Sequence, residues 1–215
     1  SPHLRFGELS PHQVWARLHQ SLPPEAAKNR AKFLSEIGWR EFSHTILFAR
    51  PDLARANYRP EFDAFPWGKP DVEQLEAWQK GQTGIPIIDA GMRELWATGW
   101  MHNRVRMIVA SFLTKNLLVD WRTGEEWFWD TLVDADEASN AASWQWVAGS
   151  GADAAPYFRV FNPVLQAEKF DPDGTYVKRW VPEVDSVDNP AAIVDLKTSR
   201  AEALAAYEAV KAAQR

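Results

Sequence analysis

The 215-residue sequence predicts a single all-α domain spanning residues 1–215. Three observations lead to that class. Apolar residues recur at the three-to-four spacing of a helix face through most of the long segments. Helix-start residues such as Ser10-Pro11 and Asp71 stand where those segments begin. The period-two alternation of a half-buried strand appears nowhere, and no repeat or low-complexity stretch divides the chain.

Taken in order, Ser10 caps a helix that starts at Pro11 and runs to about Leu22, where Pro23-Pro24 breaks it. A long periodic segment from Glu25 to Phe48 reads as the next helix, ending at Arg50-Pro51. The proline- and aromatic-rich stretch Arg59–Pro70 reads as an ordered loop. Asp71 caps a helix through Lys80, which Gly81–Gly84 ends. Pro86–Thr98, Met101–Leu118, Glu125–Leu132 and Glu137–Val147 are expected as four further helices, the last entered from an acidic loop at Asp134–Asp136. Residues Gly149–Asp173 read as loop-rich, and the alanine-rich Ser199–Ala213 as a plain surface helix.

The composition narrows the function classes. With no cysteine there are no disulfides, thiolate metal sites or cysteine-held iron–sulfur clusters, which fits a reducing compartment. No metal site is expected. No segment approaches the roughly 18–20 apolar residues that span a bilayer, and no signal peptide is visible, so a cytoplasmic monomer without membrane contact is expected. A net charge of −5 argues against indiscriminate nucleic-acid binding, although Arg104, Arg106, Lys115, Arg159 and Lys169 could form a local basic patch. The 12 tryptophans are several times the usual number; each indole N–H needs a partner when buried, so the excess points to stacking or electron transfer beside core packing.

Within Asp134–Trp146 the sequence places Asn140 and Trp144 four residues apart, on one helix face. An amide and an indole directed at one object suit a flat redox-active ring, since the amide can hydrogen-bond a ring nitrogen while the indole passes an electron. Glu36, Trp39 and Arg40 likewise share a face at i, i+3 and i+4.

Three segments, Glu36–Phe42 (EIGWREF), Trp100–Met107 (WMHNRVRM) and Asp134–Trp146, together with Ala154–Pro163 (AAPYFRVFNP), closely resemble the flavin-binding half of the DNA photolyase/cryptochrome family. The resemblance covers almost the whole chain, and within the family the motifs look most like a class I cyclobutane-pyrimidine-dimer photolyase. It implies a reduced FAD cofactor, ultraviolet-damaged DNA as partner, and light-driven repair of cyclobutane dimers by electron transfer. The antenna pigment of the family would not be bound by this region, and Ser1 looks like the last serine of the phosphate-site motif.

The resemblance also implies roles. Glu36, Asn140 and Met107 would be catalytic, Glu36 hydrogen-bonding the pyrimidines and Asn140 sitting at flavin N5. Trp144, Trp121 and Trp67 would form an electron-transfer wire. The cofactor would be held by Ser1, Phe33, Glu36, Arg40, Trp100, Asn103, Arg106, Asp134, Asp136 and Asn140, with Asp134 paired to Arg106. The lesion and its DNA would meet Glu36, Trp39, Arg104, Met107, Trp146 and Arg159. A light receptor of the cryptochrome type without repair, and an apo helical fragment without activity, are the competing readings.

Overall fold

A computed structural model describes residues 1–21, 23–154 and 158–213. Ala155, Pro156 and Tyr157 of the AAPYF motif lie outside the described residues. Among the described residues there are eleven α-helices and no strand. They are α1 (Pro2–Arg5), α2 (Pro11–Ser21), α3 (Ala27–Ala49), α4 (Val72–Lys80), α5 (Pro86–Thr98), α6 (Asn103–Ser111), α7 (Trp121–Thr131), α8 (Glu137–Ala148), α9 (Pro163–Phe170), α10 (Thr175–Trp180) and α11 (Leu196–Ala213). Among these residues no helix is long and apolar enough to cross a membrane.

Local chemistry accounts for the boundaries. At α2, Ser10 Oγ accepts from Gln13 N at 3.1 Å while Gln13 Oε1 accepts from Ser10 N at 2.8 Å, a reciprocal capping pair. Asp71 accepts from the amides of Glu73 and Gln74 at α4, and Gly81, with φ of +64°, supplies the left-handed turn that closes it. Asp120 and Asp136 cap α7 and α8 in the same way.

Four sequence expectations are corrected. The Met101–Leu118 helix starts only at Asn103, where His102 Nδ1 accepts from Arg104 N at 3.1 Å, and its second half widens into a π-helical turn, Phe112–Asn116. Helix α7 begins four residues ahead of the expected Glu125, because Asp120 caps it there. The loop-rich stretch after Gly149 contains α9, entered through Asn162 as cap and Pro163 at the first helical position. Helix α11 is not a plain surface helix: Ser199, Ala203 and Val210 are buried, Val210 packs with Phe62 and Phe65, and Tyr207 stacks on Phe158 at 4.5 Å.

The main core is formed by α4 to α8 and the π-helical turn, with Trp78, Trp121, Phe112 and Leu113 wholly buried. Helix α3 lies against α8 at the edge of this body and buries only Ile37 fully. That arrangement leaves a groove between α3 on one side and α6 and α8 on the other.

Candidate functional site: one cleft between three helices

The groove is a cleft of about 630 Å³, within the range of cofactor and small-molecule sites. Helix α3 contributes Glu36, Trp39 and Arg40; α6 contributes Asn103, Arg104, Arg106 and Met107; α8 and its entry loop contribute Asp134, Asp136, Asn140, Trp144 and Trp146; Ser1 also borders it. Segments separated by more than a hundred residues in sequence thus meet around one volume. Thirteen of the residues singled out from the sequence border it.

The outer edge is apolar and aromatic. Trp39 is 48% exposed and meets Phe42 edge-on at 5.7 Å, and Met107 and Trp146 stand partly exposed. Glu36 is held by Lys32, one turn earlier on α3, at 2.5 Å. Arg40 pairs with the adjacent Glu41 rather than with Glu36. The guanidinium of Arg104 lies over the Phe170 ring at 4.5 Å.

The inner end is polar and tightly tied. Arg106 Nη2 donates to both oxygens of Asp134 at 3.0 and 3.3 Å, and Arg106 Nε donates to the Met101 carbonyl at 2.7 Å. Burial pushes the Asp134 carboxyl up, but its cationic partners, Arg106 foremost, outweigh it and hold it below the usual aspartate value. Asp136 caps α8 through Ser139 N and lies 3.5 Å from His44 Nε2 on α3, so it also ties the two walls together.

Asn140 is fixed by α7. Its Nδ2 donates to the Glu125 carbonyl oxygen at 2.9 Å and to Glu125 Oε1 at 2.8 Å. A backbone carbonyl can only accept, so the amide orientation is set: both N–H groups are used and the amide oxygen is left for the cleft. Burial pushes the Glu125 carboxyl above the usual glutamate range, against the opposing effect of its bond to Asn140, and Glu126 and Glu137 push in the same direction as burial.

Trp144 is 2% exposed and forms part of the cleft wall, edge-on to Phe128 at 5.0 Å and to Trp78 at 6.4 Å. Trp121 is wholly buried on α7, its Nε1 donating to Asn57 Oδ1 at 2.9 Å. Trp67 is half-buried beside Phe65 at 4.3 Å, with its Nε1 buried and unpartnered. Trp121 and Trp67 stand behind the cleft rather than in it.

Phe33, Trp100 and Arg159 do not border the cleft. Phe33 is 50% exposed near the start of α3, and Trp100 is 42% exposed after Gly99 with its ring edge-on to His102. Arg159 is exposed, its guanidinium beside Phe161 at 5.9 Å. Lys115 is corrected outright: it is wholly buried, donating to the Ala148 carbonyl at 2.5 Å and lying over the Phe158 ring at 3.2 Å, so it cannot join a basic surface patch. His102 is a helix cap.

Sequence reasoning missed Glu125, Phe128 and Lys32. Glu125 and Phe128 follow Trp121 at i+4 and i+7, the stripe of α7 that faces α8, and that spacing was the available signal. Among the described residues no group of three metal-ligating side chains exists.

The fold and the cleft define an all-helical domain with a cleft that is polar at one end and aromatic at the other. Residues 33–203 match the family described as the FAD binding domain of DNA photolyase, and the chain belongs to that family. It is 52% identical to the deoxyribodipyrimidine photo-lyase of Agrobacterium fabrum and 43% identical to that of Escherichia coli, in each case over 98% of this chain and 49% of the relative. The chain therefore spans about half the length of these relatives. Among solved structures, a bacterial class III photolyase from Agrobacterium tumefaciens superposes with a TM-score of 0.90 at 51% identity, over 99% of this chain and 49% of that one. A cryptochrome of Synechocystis sp. PCC6803 superposes at 0.87 with 33% identity, over 95% and 47%. The subclass suggested by the motifs alone, class I, differs from the class III of the first of these neighbours.

Proposed function

We propose that this chain is the catalytic region of a light-driven DNA repair enzyme that splits cyclobutane pyrimidine dimers with an electron from reduced FAD. The observation that carries the reading is the convergence of Glu36, Trp39, Met107 and Trp146 on the outer part of the same cleft whose inner part holds Asn140, the Arg106–Asp134 pair and Trp144.

The residues present fit the cofactor. The cleft has the volume for it, the amide oxygen of Asn140 is the polar end left over once Glu125 is satisfied, and Arg106 is held rigid by Asp134. Asn140 and Arg106 would orient the ring system, Asn103 and Asp136 would meet its edge and sugar, and Ser1 would lie at the phosphates. When bound and reduced, FAD would supply an electron under blue light and take it back once the ring has split, with no net redox change.

The remaining work falls to the chain. Enzymes that treat a base in duplex DNA take it out of the stack, photolyases being an established case. Trp39 and Trp146 would sandwich the extruded dimer, with Met107 filling the space between them, since indole faces stack on bases without needing a particular sequence. Glu36 would hydrogen-bond the pyrimidines and steady the charge that develops there. Arg104 and Arg159 would meet phosphates flanking the lesion. Trp144, Trp121 and Trp67 would return an electron to oxidised cofactor.

An absorption spectrum of the chain after incubation with FAD and removal of the excess tests the first half of the reading; structured flavin bands are expected, and none would count against it. Repair of a dimer-containing oligonucleotide tests the second. Glu36→Ala should slow ring splitting while flavin is retained, and unchanged repair would remove the role given to Glu36. Flavin retention with photoreduction but no repair would favour the receptor reading.

A further inference from the structure

Helix α7 carries Trp121, Gly124, Glu125 and Phe128 at i, i+3, i+4 and i+7, on the stripe that packs against α8. Glu125 touches Asn140, Phe128 touches Trp144, Trp121 is buried behind the cleft, and Gly124 has no side chain at all. Gly124 has ordinary helical backbone angles, so its conformation does not call for glycine, and glycine within a helix is less favourable than alanine. The reason for its presence is space. A Cβ at Gly124 would lie 2.2 Å from Cη2 and 2.5 Å from Cζ3 of Trp144, and 2.7 Å from Cδ2 of Leu113.

The indole cannot step aside within the core. Phe128 stands edge-on against it at 5.0 Å, Trp78 at 6.4 Å, and Trp78 is itself wholly buried and tied through Nε1 to the Val109 carbonyl. The remaining direction is outward, into the cleft that Trp144 borders.

We infer that Gly124 is a positioning residue: its missing side chain seats the Trp144 ring flush on the α7 backbone, out of the cofactor volume and against the helix that carries Trp121. The consequence for the cofactor rests on the function proposed above; the seating itself does not.

Gly124→Ala, Trp144→Phe and the double variant test this in two readouts. Phenylalanine lacks both Cζ3 and Cη2, which removes the two closest contacts and leaves only the terminal Cδ2 of Leu113, which can turn into the space the indole vacates. In the chain without cofactor, Gly124→Ala should lower Tm by roughly 3–10 °C when Trp144 is present, and should leave Tm unchanged or raised in the Trp144→Phe background. After incubation with FAD, flavin should be retained by the wild type, lost by Gly124→Ala and regained by the double variant, whose flavin no longer photoreduces. Equal Tm losses in both backgrounds, an unfolded double variant beside a folded Trp144→Phe, or wild-type Tm and flavin content in Gly124→Ala would each overturn the inference. A wild-type chain that retains no flavin counts against the proposed function, and the Tm comparison still decides the role of Gly124.

Discussion

Asn140 spends both of its amide hydrogens on one residue, Glu125, at 2.9 Å to the backbone oxygen and 2.8 Å to the carboxyl. The Asn140 amide in the cleft lining is therefore oriented by Glu125, a residue the sequence had not singled out. Because burial raises the Glu125 carboxyl, the folded state holds its proton at pH values where the unfolded chain has lost it, so this residue's contribution to stability falls as pH rises above the ordinary glutamate range. Glu125→Gln keeps an oxygen for Asn140 and removes the ionisation. Its Tm should gain on the wild type as pH is raised from about 4.5 toward 7, and a constant difference across that range would rule out the assignment.

Lys115 gives the opposite slope. It is wholly buried, with no carboxylate partner among the described residues, and burial holds its ammonium well below the usual lysine value. The unfolded chain then binds the extra proton, so stability rises with pH up to the ordinary lysine range near 10.4. Lys115→Met, which keeps length and loses charge, should be more stable than wild type at neutral pH and lose that advantage by pH 10. Parallel denaturation curves at both pH values would refute this.

The Arg106–Asp134 pair should show its worth only when half of it is removed. Asp134 is nearly inaccessible, with its side chain 5% exposed. Arg106→Met leaves a buried carboxylate with one cation fewer and should cost roughly 3 kcal/mol in urea denaturation. Adding Asp134→Asn to that variant should restore part of the loss, and an additive double loss would exclude the pairing as its cause.

Trp67 separates electron transfer from packing. Its indole nitrogen is buried without a partner, so Trp67→Phe removes an unsatisfied donor along with some apolar contact, and stability should change by less than about 1 kcal/mol. Under the proposed function, photoreduction of bound oxidised flavin should slow sharply in the same variant. A wild-type rate would take Trp67 out of the wire.

Most of the helices were legible because they announce themselves locally: Asp71, Asp136 and Ser10 cap through their own side chains, and Gly81 closes α4 with the backbone only glycine adopts easily. The π-helical turn at Phe112–Asn116 was not, since one inserted residue leaves the helical pattern of apolar positions almost intact. The site residues on α3, α6 and α8 were readable through long motifs in a fixed order. Glu125 and Lys115 were not, because a glutamate beside Glu126 reads as a solvated face and a lysine reads as surface charge. Their burial comes from α8 and Phe158, partners supplied by tertiary structure alone.

Helix α3 runs 23 residues with one fully buried side chain, and α2 has none. The wall that presents Glu36 and Trp39 is thus the part of the body with the least apolar area of its own to hold it down. Any molecule bound to both α3 and α8 stabilises that wall by mass action, by about 2.7 kcal/mol at a hundredfold excess over its dissociation constant. Loading the cleft and completing the fold are in this sense a single equilibrium, and resistance of the amino-terminal third to protease would serve as its titration curve.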